Sequence, residues 1–188
     1  MISGALATVL FPKISSIGGL KANDFTPRIT RHTFFILMVF SFLLLISAKT
    51  LISFFFGAEF LPAVLPLMVM LPGILAFGVG GVLAADLAGR GKPQYAIYSS
   101  FVCLAVSLPL NIILIPRLGI FGAAIASSIA YWADTLVILF AFLKISKKPL
   151  TDVLIIKKQD FGDYSRFITT FKNWIKIKTK RFYLWKKS

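Results

Sequence analysis

From Leu110 to Trp132 the chain reads LNIILIPRLGIFGAAIASSIAYW, and this stretch narrows what the protein can become. An apolar run ends at Pro116, Arg117 and Leu118 turn the chain, and Gly119 opens a second apolar run. Two long apolar helices joined by so short a link must lie antiparallel. The second run begins with small residues: Gly119, Gly122, Ala123, Ala124, Ala126, Ser127, Ser128 and Ala130. In a bilayer the tails are as apolar as the helices, so association is driven by close backbone approach, which small residues allow. The stretch reads as a transmembrane hairpin whose second arm packs through Gly119, Ala123, Ser127 and Ala130.

Further runs reach the length of about 20 residues needed to cross a bilayer. The expected fold class is all-α: a polytopic helix bundle with complete spans at 34–56, 63–88, 95–115 and 120–143. A partial helix at 1–16 precedes them, with the apolar Met1–Phe11 too short to span. Phe34–Phe56, at 1.5 Å rise per residue, covers about 35 Å. Thr26-Pro27 reads as a helix start, with Thr as N-cap and Pro in the first turn. Composition agrees: 57% of residues are hydrophobic and 15% charged, against about 25% charged in soluble domains.

The span at 63–88 carries Pro66, Pro72, Gly73, Gly78, Gly80 and Gly81, so a kinked or locally opened helix is expected there. Pro72, Gly73, Gly78, Gly80 and Gly81 are the candidate hinge. Irregular backbone at membrane depth is tolerated only against protein or a water-filled cavity. The bland alternative is a gently bent packing helix. Gly89-Arg90-Gly91-Lys92-Pro93 is a basic turn; its spacing is wrong for a phosphate loop, and Pro93 stands where Ser or Thr would be needed.

The formal net charge of +14 is placed unevenly. Lys13, Lys21, Arg28 and Arg31 precede the first complete span, Arg90 and Lys92 follow the second, and thirteen basic residues follow Leu143. The links on the other side hold only Arg117. By the positive-inside rule the C-terminus and the Gly89–Pro93 turn are cytoplasmic, and Glu59 and Arg117 lie outside. In the tail at 144–188, Phe167, Ile168, Phe171, Trp174 and Ile175 recur at helical spacing, with Lys172, Lys176 and Lys180 on another face. Such a segment is expected to lie on anionic membrane lipids. No nucleic-acid-binding module accompanies the charge.

Charged or polar residues within spans carry functional expectations. Asp134, Lys49 and Asn111 are the candidate cavity, substrate-contacting or ion-coupling residues. At 100° per residue Asp134 shares a face with Ala123, Ser127 and Ala130. It should therefore point into the bundle or a cavity, as a functional acid or as a hydrogen-bonded carboxyl that locks packing. Lys49 differs from Asp134 by about 10 Å in depth, which argues against an ion pair. It snorkels to outer headgroups or contacts an anionic one. Asn111 bonds across helices or lines the path. Asp86 and Arg90, four apart at a helix end, are placed to pair. With one His and one Cys the chain holds no catalytic constellation or metal set, and it is expected to be neither an enzyme nor a cofactor binder.

Two stretches, FGAEFLPAVLPLMVMLPGILAFGVGGVLAADLAGRGKP and LPLNIILIPRLGIFGAAIASSIAYW, resemble the C-terminal half of bacterial oligosaccharide flippases. These are the O-antigen and polysaccharide exporters of the multidrug/oligosaccharidyl-lipid/polysaccharide superfamily. The sharper points are Pro12, Gly57, Pro72-Gly73, Gly89–Pro93, Leu110-Asn111, Ile115-Pro116, Gly119 and Gly122-Ala123-Ala124. The resemblance covers roughly residues 1 to 164. It implies part of the C-terminal lobe of a two-lobe, multi-pass transporter of the cytoplasmic membrane, with an N-terminal lobe missing here. The implied cargo is an undecaprenyl-diphosphate-linked oligosaccharide for surface polysaccharide biosynthesis. A multidrug or cation antiporter of the same superfamily, using Asp134, and a non-transporting membrane scaffold are the alternatives.

Overall fold

The computed structural model describes residues 19–154, with side chains from Thr26 to Val153. The partial helix expected at 1–16 and the amphipathic segment of the basic tail lie outside the described residues. Five α-helices and one short 3-10 helix follow one another: α1 (Gly19–Phe56), the 3-10 helix (Ala58–Ala63), α2 (Val64–Gly89), α3 (Gln94–Leu118), α4 (Ile120–Ser146) and α5 (Leu150–Leu154). Four segments are long and apolar enough to cross a membrane: Thr26–Phe56, Ala58–Gly89, Gln94–Leu118 and Ile120–Ser146.

Two expected boundaries are corrected. Helix α1 does not begin at Thr26-Pro27; it runs through them from Gly19. The Thr26 hydroxyl, which would have accepted a backbone N–H as a cap, donates instead to Asp86 Oδ1 at 2.5 Å. Helix α3 does not end where the apolar run does, at Pro116, but continues through Pro109 and Pro116 to Leu118. Gly119 alone forms the link, at φ 58 and ψ −135, and its position is open. Gly119 is therefore a turn residue and not the packing contact expected of it. Helix α2 is continuous from Val64 to Gly89, Pro72 included, which removes the locally opened form of the expectation and leaves the kinked and the gently bent ones.

The end of α2 closes on a Gly-centred cap. Lys92 N–H donates to the Leu87 carbonyl at 2.9 Å and Gly91 N–H to the Ala88 carbonyl at 3.0 Å, with Gly91 at φ 73. This is the paired bonding that satisfies the last carbonyls of a helix when the following residue is left-handed.

Helix α4 lies between α2 and α3. Gly73 faces Ser128 and Gly80 faces Thr135. Both partners advance together by seven residues, so α2 and α4 run parallel. On the other side Gly122 faces the Leu114 carbonyl of α3, within the antiparallel hairpin read from the sequence. The apolar core gathers toward one end of the bundle, around Val79, Leu83, Leu87, Ile138, Ala141, Phe142 and Val153. Elsewhere the outer faces carry large exposed side chains, among them Phe54, Ile112, Ile120 and Phe140. In water such surface would drive aggregation, whereas in a bilayer it meets tails of its own polarity.

Candidate functional site

Helix α4 owes its central position to its small residues. Gly122, Ala124, Ala126, Ser128 and Ala130 are all buried, while Ala123 and Ser127 are half-buried. Continuing the four-residue spacing of Gly122, Ala126 and Ala130 reaches Asp134, which is 8% exposed. The sequence placed it inward, and it is inward. Among the described residues it makes no hydrogen bond or ion pair. No Lys or Arg occurs on α2, α3 or α4 between residues 50 and 89, 93 and 116, or 118 and 143. The neighbouring Thr135 Oγ1 is buried without a partner. A hydroxyl left so costs free energy unless something else meets it.

The other two candidates do not join Asp134. Lys49 sits on α1 and is exposed. Asn111 is half-buried on α3, and its amide donates to the Ser107 carbonyl at 2.8 Å and to Ser107 Oγ at 3.0 Å. It therefore neither bonds across helices nor presents a free donor to a path. The candidate hinge residues divide. Gly73, Gly78 and Gly80 are buried where another helix approaches, Ser128 and Thr135 from α4 and Leu37 from α1. Pro72 is exposed and Gly81 half-buried.

A second polar grouping ties the helices together at the Gly89 end. Asp86 is fully buried. Its carboxylate accepts from Thr26 Oγ1 at 2.5 Å, from Arg90 Nε at 2.5 Å and from Arg90 Nη2 at 3.2 Å. The Arg90 guanidinium also stands 5.8 Å from the centroid of the Phe142 ring on α4, within cation–π range. One carboxylate thereby connects α1, α2 and α4. Beside it Arg31 Nη1 donates to the Asp152 carbonyl, binding α5 to α1. The four-residue spacing gave the Asp86–Arg90 pair. Nothing local marked Thr26 as its third member, since the two are 60 residues apart.

Among the described residues no group of three or more His, Cys, Asp or Glu side chains could hold a metal ion. An open groove of about 530 Å³ lies at the opposite end, lined by Pro62, Leu65, Pro66, Leu118, Ile120 and Phe121; it is apolar and suits a hydrocarbon chain. The arrangement offers packed helices, one isolated acid and apolar flanks.

A family model described as lipid II flippase MurJ matches residues 1–172. The probable low-salt glycan biosynthesis flippase Agl15 of Haloferax volcanii is 26% identical over 146 residues, covering 72% of this chain and 29% of that protein. The chain thus spans less than a third of the length of this curated relative. No solved structure matches it.

Proposed function

The chain belongs to the lipid II flippase MurJ family, and on that premise we propose that it is part of a transporter that moves a lipid-linked glycan across the membrane. The observation that carries the reading is the match over residues 1–172 to a flippase family. The multi-pass apolar bundle agrees with it, and a flippase is a transporter rather than an enzyme. The cargo in this reading is an undecaprenyl-diphosphate-linked oligosaccharide, flipped in the cytoplasmic membrane for surface polysaccharide synthesis. The basic residues after Leu143 then face the cytoplasm and its anionic lipids. Helices α1 and α3 leave apolar flanks uncovered. An N-terminal lobe is the partner that would complete the path.

The test is photolabelling in membrane vesicles with an undecaprenyl-diphosphate glycan bearing a photoactivatable group. The chain is expected to be labelled, and excess unlabelled compound to suppress the labelling. Absence of competable labelling ends the proposal.

The burial of Asp134 without a counter-charge favours a second reading, in which it carries the coupling ion of an antiporter. One charge moved through 100 mV supplies about 2.3 kcal/mol, roughly 50-fold in accumulation. Asp134→Asn is expected to abolish the gradient-driven part of transport by the assembled transporter while sparing photolabelling. Transport that ignores the substitution removes this reading and leaves the first intact.

A further inference from the structure

Helix α1 is held very unequally along its length. Near its start, Thr26, Pro27, Thr30, Arg31 and Thr33 are buried within eight residues. Two of them are bonded to other elements, Thr26 to Asp86 of α2 and Arg31 to the Asp152 carbonyl of α5. From Phe34 to Phe56 only Ala48 is buried, and a methyl group offers neither a hydrogen bond nor much area. Phe54 is 80% exposed, Phe55 69% and Phe56 67%. Two of the four hydroxyls in this stretch show how little ties it down. Ser47 Oγ donates to the Leu43 carbonyl of its own helix at 2.7 Å, and Thr50 is exposed.

The far end of α1 leads into Gly57, at φ 95 with open space where a Cβ would be. The left-handed region is where glycine moves at least cost. Midway, the tip of Leu37 lies in the hollow left by Gly78 of α2. Local stability follows buried contacts and hydrogen bonds, so the two ends of this one helix must differ in it. Helix α2, by contrast, is held against α4 at Gly73 and Gly80.

We infer that α1 is a lever: it is pinned by the Thr26–Asp86 and Arg31–Asp152 bonds, and its Met38–Phe56 half swings in the membrane against the fixed α2–α4 pair. The pivot lies between Thr33 and Leu37, and Gly57 absorbs the motion at the other end. The 3-10 helix Ala58–Ala63, which carries Glu59 and Phe60, moves with the free end. This inference does not depend on the nature of the cargo.

Pairs of spin labels on the full chain in lipid nanodiscs, with Cys103→Ser as background, test it. One pair, at Ile36 and Phe140, reports the pinned end; the other, at Phe54 and Ile120, reports the free end. All four positions are exposed, so labels fit without disturbing the core. The distance distribution at the free end is expected to be roughly twice as wide as at the pinned end. Adding Thr26→Val with Arg31→Gln should widen the pinned-end distribution to match. Equal widths at both ends of the unaltered helix overturn the lever, as does a pinned end that stays narrow when both bonds are removed.

Discussion

Asp86→Leu is expected to destabilise the bundle by about 3–5 kcal/mol, the cost typical of removing one partner from a buried ion pair. The substitution takes the carboxylate away from Arg90, whose side chain is 9% exposed. The Phe142 ring stays 5.8 Å from its guanidinium, but cation–π attraction contributes about 2 kcal/mol at best. Thr26 Oγ1 loses its acceptor at the same moment. The double substitution Asp86→Leu with Arg90→Met should recover most of the loss, because a well-packed apolar pair replaces a buried ion pair at little net cost. Asp86→Asn should fall between, keeping one acceptor oxygen but not the charge. Unfolding in detergent micelles, followed by far-ultraviolet circular dichroism against temperature or denaturant, reads all three. An Asp86→Leu variant within about 0.5 kcal/mol of the unaltered chain, the range of ordinary surface substitutions, would show that water reaches Arg90 and that this cluster holds nothing together.

How far this was legible depends on the range of each interaction. The helices were legible because length and apolarity suffice to specify a span. The short link around Gly119 fixed the α3–α4 hairpin by itself. The Asp86–Arg90 pair was legible because its partners lie on one turn. Thr26 was misread for the opposite reason. Locally Thr-Pro is a helix start, and only the tertiary bond to Asp86 turns the hydroxyl away from capping. Prolines misled in the same direction. Pro72 and Pro116 lie within continuous helices, as is common in membranes, where neighbouring helices and side chains satisfy the freed backbone groups. The inward aim of Asp134 was legible from helical periodicity. Its lack of a partner was not, since that depends on which side chains surround it. The bonds from the Asn111 amide to Ser107 were not legible, because periodicity says which face a side chain occupies but not which neighbour one turn away meets it.

The glycines of α2 offer a sharper test, because the expected sign is the reverse of the intrinsic preference. In a free helix, Gly→Ala stabilises by about 1 kcal/mol. At Gly73, however, a Cβ would lie 2.6 Å from the Ser128 Cα and 2.8 Å from its Oγ. Backbone cannot rotate aside as a side chain can, so α4 as a whole must shift. Overpacking of this kind costs about 1–3 kcal/mol, which outweighs the propensity gain. Gly73→Ala is therefore expected to destabilise, and Gly73→Leu to do so by about 3 kcal/mol or more, parting α2 from α4 along the seam. At Gly80 the closest atom to a Cβ is the Thr135 hydroxyl at 2.9 Å, with the Thr135 Cα at 3.4 Å. That hydroxyl has no partner to lose, and Gly80→Ala should cost less than Gly73→Ala. Ser128→Gly should relieve Gly73→Ala only in part, since it removes the Oγ and Cβ but leaves the Cα in place. Unfolding of these four variants in micelles gives the order. A Gly73→Ala chain more stable than the unaltered one would mean that α2 and α4 are not in backbone contact at this level. The small residues of α4 would then need another partner.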